Sequence, residues 1–325
     1  MHMSDALLSP AVGAVMYGVT AAAIAKAVKE TDAEELGQQR LPLMAVSGAF
    51  VFAAQMINFT IPGTGSSGHI CGGILLAGLL GGGPALLTIA SVLLIQCLFF
   101  ADGGLLALGA NIFNMGMIPC LLIYPLLFRP LSRRMGEKGM PAVTVISCIA
   151  GLELGAFCVV LETLVSGITE LPVGVFMGLM LPIHLAIGFV EGLITAAVFA
   201  CVKKTRPELL SAEDKPVGSL RSTVVMLAVF AVLTGGGLSL LASGYPDGLE
   251  WSMERTAGTA ELERNDAVHD AAAAVQEAAA VLPDYDFKAG EGTGTSASGL
   301  IGGLMTCVLA GAAGGAVVLA KRRSR

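Results

Sequence analysis

Nine stretches of this 325-residue chain run almost without charge: 10–25, 41–58, 70–80, 84–100, 105–128, 141–165, 173–202, 222–243 and 298–320. A run of about 20 apolar residues crosses a bilayer as one helix. In hydrocarbon the backbone must satisfy its own hydrogen bonds, which a helix does within a single segment. The expected fold is therefore all-α: a polytopic bundle of about nine transmembrane helices in a lipid bilayer. Composition supports this. Only 14% of residues are charged, against about a quarter in soluble domains. Aromatics are 6% and there are 42 glycines, so the helices are expected to pack through small residues, as membrane helices do. The stretch 70–80 is too short to span alone and reads as a partial or tilted span inside the bundle.

The basic residues divide by side. Sixteen of the 19 follow the first, fifth, seventh and ninth stretches, and only Arg255, Arg264 and Lys288 fall elsewhere. The positive-inside rule then places the N-terminus outside and the C-terminus in the cytoplasm, the arrangement that an odd number of crossings gives. A multi-pass protein of a cell membrane is expected, with no signal peptide. The net charge of −6 gives no reason to expect nucleic acid as a partner. All seven cysteines lie in or beside apolar stretches, which argues against a disulfide framework.

The polar stretch 245–297 is expected outside. It holds eleven acidic residues against three basic ones, a surface able to gather cations. Its Ala-rich middle, 256–281, favours helix, and 290–298 reads as a flexible linker. Two modules follow: 1–221 with seven spans, and 222–325 as span, outside domain and span. The last span carries Gly299-x-x-x-Gly303 and Gly311-x-x-x-Gly315, a spacing that brings helices close. It is expected to dock on the first module.

Chemistry concentrates at the first residues. His2 is too large a second residue for Met1 to be removed, so a free α-amine precedes a histidine. The Met1 amine, the His2 backbone nitrogen and the His2 imidazole can close adjacent chelate rings on one metal. Planar nitrogen coordination of this kind suits Cu(II) or Ni(II), with Co(II) a further candidate. The Gly/Ser-rich loop 61–69 ends at His69, a candidate fourth ligand; Cys71 reads as helix packing. Asn58, Gln96, Asn111, Asn114, Glu153, Glu162, His184 and Glu191 are polar groups in or beside apolar stretches, where interhelical hydrogen bonding is the plain role and support of a neighbouring site or gating is the alternative. No Gly-Lys dipeptide occurs, which excludes a Walker A loop. Neither HExxH nor CxxC is present.

These segments together resemble the substrate-specific membrane component of cobalt/nickel energy-coupling-factor transporters. The resemblance lies in the opening Met1-His-Met-Ser-Asp-Ala-Leu-Leu-Ser-Pro10, in Phe52-Ala-Ala-Gln-Met-Ile-Asn-Phe59 and in the loop to His69. It continues through 101–115 and 184–192. It implies that the N-terminus inserts into the bundle and that Met1, His2 and His69 hold Ni2+ or Co2+ as transported substrate. It also implies a separate transmembrane coupling component and a pair of ATPase subunits, with no catalysis by this chain. Pro246-Asp-Gly-Leu-Glu-Trp251 is similar to the small accessory subunit of such transporters, here fused. Two other functions compete: an intramembrane serine protease using Ser67 and His184, and a passive metal channel.

Overall fold

The computed structural model describes residues 1–33, 36–210, 219–260, 262, 264, 266–287 and 294–323. Lys215, Lys288, Arg325 and the acidic residues 261, 263 and 291 lie outside the described residues, as do 290–293 of the expected linker.

Each apolar stretch forms helix. Helix α1 (Pro10–Glu30) starts where the Ser9 side chain accepts from the Val12 N–H and a proline takes the first turn, where its missing N–H costs nothing. Then come α2 (Leu41–Gln55), α3 (Gly73–Leu80), α4 (Gly82–Phe100) and α5 (Leu108–Ile112). Helix α5 continues through a wider, π-type coil over Phe113–Phe128 that contains Pro119 and Pro125. Helix α6 (Arg129–Ser166) bends at Gly136, and α7 (Val173–Thr205) and α8 (Arg221–Gly236) follow. Among the described residues five helical runs are long and apolar enough to cross a membrane, one of them covering both α5 and α6.

The third stretch solves its length problem with a loop. Helix α3 has eight residues, every one buried, and spans about 12 Å at 1.5 Å per residue. The chain before it, 57–72, fills the remaining depth. It carries a two-stranded antiparallel hairpin, β1 (Phe59–Ile61) with β2 (Ser66–Gly68), in which Phe59 faces Gly68. Helix α2 brackets this unit at both levels: Gln55 Nε2 donates to Cys71 O at 2.9 Å, and Arg40 Nη1 to Leu80 O at 3.4 Å.

The polar stretch departs from its expected form. Instead of one helix over 256–281 there are two, α9 (Gly248–Ala257) and α10 (Ala267–Ala279). Gly258, at φ +79°, takes the left-handed conformation that ends α9. Asp266 starts α10 by accepting from the Val268 and His269 N–H groups. The last helix, α11 (Gly294–Arg323), begins inside the expected linker, where Asp286 accepts from the Gly294 N–H and Ser298 Oγ donates to Tyr285 O. A Cβ on Gly299 would fall 2.4 Å from Gly235 O of α8, so only glycine permits that approach. Gly303 faces Ala49 O of α2, whereas Gly315 meets nothing and Gly314 packs on Leu41 and Met44 instead. The seven cysteines are all free.

Candidate metal centre

The first eight residues turn into the bundle, and Met1, Met3, Leu7 and Leu8 are all buried. Their register is fixed by main-chain bonds. Met3 N donates to Asn111 Oδ1 at 2.8 Å, and Met3 O accepts from Gly104 N at 2.8 Å and Asn111 Nδ2 at 3.1 Å. Asp5 Oδ1 accepts from Ala107 N at 3.0 Å. At the far side of the strap, His269 Nε2 lies 3.1 Å from Asp5 O and 3.0 Å from Leu8 O, while its Nδ1 lies 2.8 Å from Asp266 Oδ2.

A relay of amides orients His2. The Cys71 carbonyl can only accept, so the NH2 of Gln55 faces it, at 2.9 Å. Gln55 Oε1 then faces Gln96 Nε2, at 2.8 Å. Gln96 Oε1 is left to accept from His2 Nε2, at 3.1 Å. The proton of a neutral His2 therefore sits on Nε2, and Nδ1 keeps its lone pair. Outer partners commonly fix a ligating histidine in this way. Nδ1 lies 3.3 Å from Asp102 Oδ1, whose partner oxygen accepts from the Tyr285 hydroxyl. A bare nitrogen beside a carboxylate is relieved by a proton or a metal cation.

His69 is set the other way round. Its Nδ1 donates to Ile70 O at 3.0 Å, which leaves Nε2 bare. The His2 and His69 rings stack with centroids 5.2 Å apart and planes at 29°. The Met1 amine lies 2.5 Å from Asp247 Oδ2, and His69 Nε2 lies 4.0 Å from that same oxygen. The structure thus brings Met1, His2 and His69 together, with Asp247 among them. Among the described residues no group of three or more His, Cys, Asp and Glu side chains is arranged to hold a metal. What this place offers beyond side chains is the terminal amine and the first amide nitrogen.

Burial sets the charges. It pulls His2 below the ordinary histidine range, against the opposing pull of Asp102. Burial, with the Met1 ammonium nearby, lowers His69 to about 4. Burial likewise disfavours the ammonium itself, but Asp247 beside it outweighs this and raises the amine's pKa. Asp247, which burial alone would push up, is held well below the carboxylate range by that ammonium and by His69. At neutral pH both imidazoles are therefore uncharged and the amine is protonated.

The surrounding polar residues serve the scaffold. Glu191 accepts from the Cys71 and Gly72 N–H groups at 2.7 and 3.0 Å, so a carboxylate on α7 seats the start of the short α3. Glu162 accepts from Asn114 Nδ2 at 2.7 Å. The protease pairing does not form. Ser67 Oγ donates to Tyr245 O at 2.6 Å, and His184 Nδ1 donates to Met180 O at 2.7 Å. Ser67 instead holds the segment that delivers Asp247: its N–H donates to Pro246 O at 2.8 Å. Trp251 Nε1 also binds this loop, donating to Thr64 O at 3.1 Å.

Sequence reasoning did not include Asp247. The pattern Asp-Gly-Leu-Glu at 247–250 is a readable capping box, and the structure forms it: Asp247 Oδ1 accepts from Leu249 N and Glu250 N at 2.8 and 2.9 Å. The box accounts for one oxygen. Nothing in the pattern says that the other oxygen meets a residue 246 positions away.

A bundle of apolar helices that folds its own N-terminus against two buried histidines has counterparts among solved membrane proteins, and those counterparts are transition metal transporters. Solved structures carry the same fold: a truncated transition metal transporter matches 63% of this chain and 99% of its own, with TM-score 0.54 and 29% identity. The chain belongs to the family of the cobalt uptake substrate-specific transmembrane region, CbiM, whose model matches residues 2–209; residues 221–319 match the PDGLE domain. Among curated relatives, the fused nickel transport protein NikMN of Rhodobacter capsulatus is 31% identical over 78% of this chain and 76% of its own. The cobalt transport protein CbiM of Geobacter sulfurreducens is 31% identical over 75% of this chain and 72% of its own.

Proposed function

We propose that this chain binds Ni2+ or Co2+ at the end of the bundle where Met1 and His69 lie. Four nitrogens would hold the ion: the Met1 amine, the His2 backbone nitrogen, His2 Nδ1 and His69 Nε2. The observation that carries this reading is the convergence of the Met1 amine and the two stacked histidines, both with a lone pair presented. The chain is then a non-catalytic subunit. It hands the ion to ATP-driven uptake through a transmembrane coupling component and a pair of ATPases. Residues 1–221 form the binding module and 222–325 the accessory module. The distribution of Lys and Arg supports a multi-pass protein of a prokaryotic inner membrane with its N-terminus outside and its C-terminus in the cytoplasm.

Metal analysis of the purified protein, with nickel and cobalt in competition, tests the binding step. About one ion per chain is expected for a single chelate of this kind, and a protein that retains neither ion refutes the reading. Uptake in cells tests the energised step: it should require the coupling component and ATPases. Uptake without them would instead make the chain a passive channel.

A further inference from the structure

The Met1 amine is enclosed, and Asp247 and His69 lie between it and the open cavity. A cavity of about 610 Å³ opens between the bundle and the polar stretch, lined among others by His2, His69, Asp102, Asp247 and Glu250. Met1 does not line it. Met1 lines a void of about 10 Å³ behind, together with Cys71, His184 and Gly248. Asp247 and His69 are common to both spaces. A cation coming through the cavity therefore meets Asp247 and His69 before it can reach the amine. Asp247 Oδ2 is also the atom that pairs with the amine, at 2.5 Å.

We propose that Asp247 is the relay ligand through which the divalent cation enters the nitrogen site. This rests on the metal site proposed above and adds an oxygen donor supplied by the C-terminal part of the chain. The ion first binds Asp247 Oδ2 from the cavity side, within reach of His69 Nε2. It thereby takes the place of the Met1 ammonium on that oxygen. The ammonium gives one proton to water in the cavity, and its freed lone pair bonds to the ion. The His2 amide then loses its proton to water and closes the chelate. Charge balances in the first and last states. Before loading, the carboxylate is neutralised by the ammonium; afterwards one divalent ion is neutralised by the carboxylate and the amide anion. Asp247 keeps a role in both states, because the coordinated amine still carries N–H groups to donate to it.

The relay is held rigidly. Oδ1 is committed to the Leu249 and Glu250 N–H groups, so only Oδ2 is available to the cation. A Cβ on Gly248 would lie 2.9 Å from both His184 Cε1 and Ile187 Cδ1, so the turn that carries Asp247 is pressed directly onto α7. Here His184, the rejected protease base, is part of the wall against which the relay is seated.

The chain contains its own reporter. Trp251 is its only tryptophan, on α9 four residues from Asp247 and anchored to Thr64. The experiment is stopped-flow fluorescence of Trp251 in the full chain, purified metal-free and mixed with Ni2+, with a parallel equilibrium titration. Asp247→Asn is the test variant, because asparagine caps a helix as well as aspartate does. It preserves the Oδ1 contacts and removes the charge. Loading should slow on the order of tenfold or more, the scale on which a fixed opposite charge raises cation on-rates. Asp247→Glu should recover part of the rate. Glu250→Gln, which removes a charge from the same cavity, should slow loading less. An unchanged or faster rate in Asp247→Asn overturns the relay. If Asp247→Asn misfolds, as far-ultraviolet circular dichroism and gel filtration would show, Asp247→Ser provides another capping side chain without the charge and is read in the same way. If the wild-type chain takes up neither Ni2+ nor Co2+, the metal site fails; if it takes them up and both variants load at its rate, only the relay fails.

Discussion

Two short segments close on the same point from opposite parts of the chain, and they are built differently. Met1–Leu8 offers nitrogen and is tied along its length, by Asn111, Gly104, Ala107 and His269. Pro246–Trp251 offers one carboxylate oxygen and is tied to the 57–69 loop by Ser67 and Thr64. The first has no regular structure around its donors; the second is the first turn of a capped helix. The contrast separates two tasks. A chelate needs several donors fixed to fractions of an ångström, which many local bonds to a rigid bundle provide. Access needs one charged group at a threshold, which a single turn can carry.

If the division is right, damage to the first segment removes binding and damage to the second changes its rate. The largest effect should come from one residue inserted before His2, which displaces the amine from the chelate. Binding should be lost while expression and helicity stay normal; a variant that still loads to one ion per chain breaks the comparison. His69→Ala should follow, weakening affinity by at least the roughly 10–100-fold typical of losing even an outer partner. His184→Ala should bind nearly as wild type, since its ring is spent on Met180 O; the reverse ranking in a competition titration would misplace the site. Next is Gln96→Met, which leaves the His2 tautomer unfixed. About tenfold weaker binding is expected, with no change in the number of ions bound.

Proton release sharpens the same contrast. His69 is already neutral above about pH 4, and burial lowers His2 as well. The protons displaced near neutrality must therefore come from the amine, raised by Asp247, and from the His2 amide. Calorimetry in buffers of different ionisation enthalpy should find about two protons released per ion, and affinity should fall as the solution is acidified. No net release would exclude backbone-amide ligation. The smallest effect should come from His269. Burial lowers its pKa, but Asp266 and the carbonyls of Leu8 and Asp5 outweigh this and raise it. A raised value stabilises the fold below the ordinary histidine pKa, about 6.5, and that contribution fades as pH rises through the folded-state value. Melting curves of the detergent-solubilised wild type should therefore lose slightly more stability than His269→Gln between pH 6 and 8; equal losses would show that the strap does not depend on this proton.

Much of this was legible in the chain because hydropathy and the period of apolar residues are local. All nine stretches became helix, and the shortness of 70–80 already required a partner. What the sequence hid was what filled the missing depth, since the 57–72 loop reaches its place through contacts with α2 and α7 that no local pattern encodes. The helix expected over 256–281 failed at Gly258, where one left-handed residue outweighed a run of good helix formers. The proposed nitrogen donors Met1 and His2 were readable as a pair because they are adjacent in the chain. The tautomer of His2 was not, because it depends on Gln55, Gln96 and the Cys71 carbonyl, which only the fold brings into line. Asp247 was readable as a cap and not as a partner of Met1.

X-ray absorption at the nickel edge of the Ni2+-loaded full chain tests the central claim most directly, because it observes the ligands without altering them. Four light donors in a planar arrangement are expected, with outer-shell scattering from two imidazole rings. A sulfur shell, which Cys71 would supply, or six oxygen donors without imidazole would contradict a site built from Met1, His2 and His69.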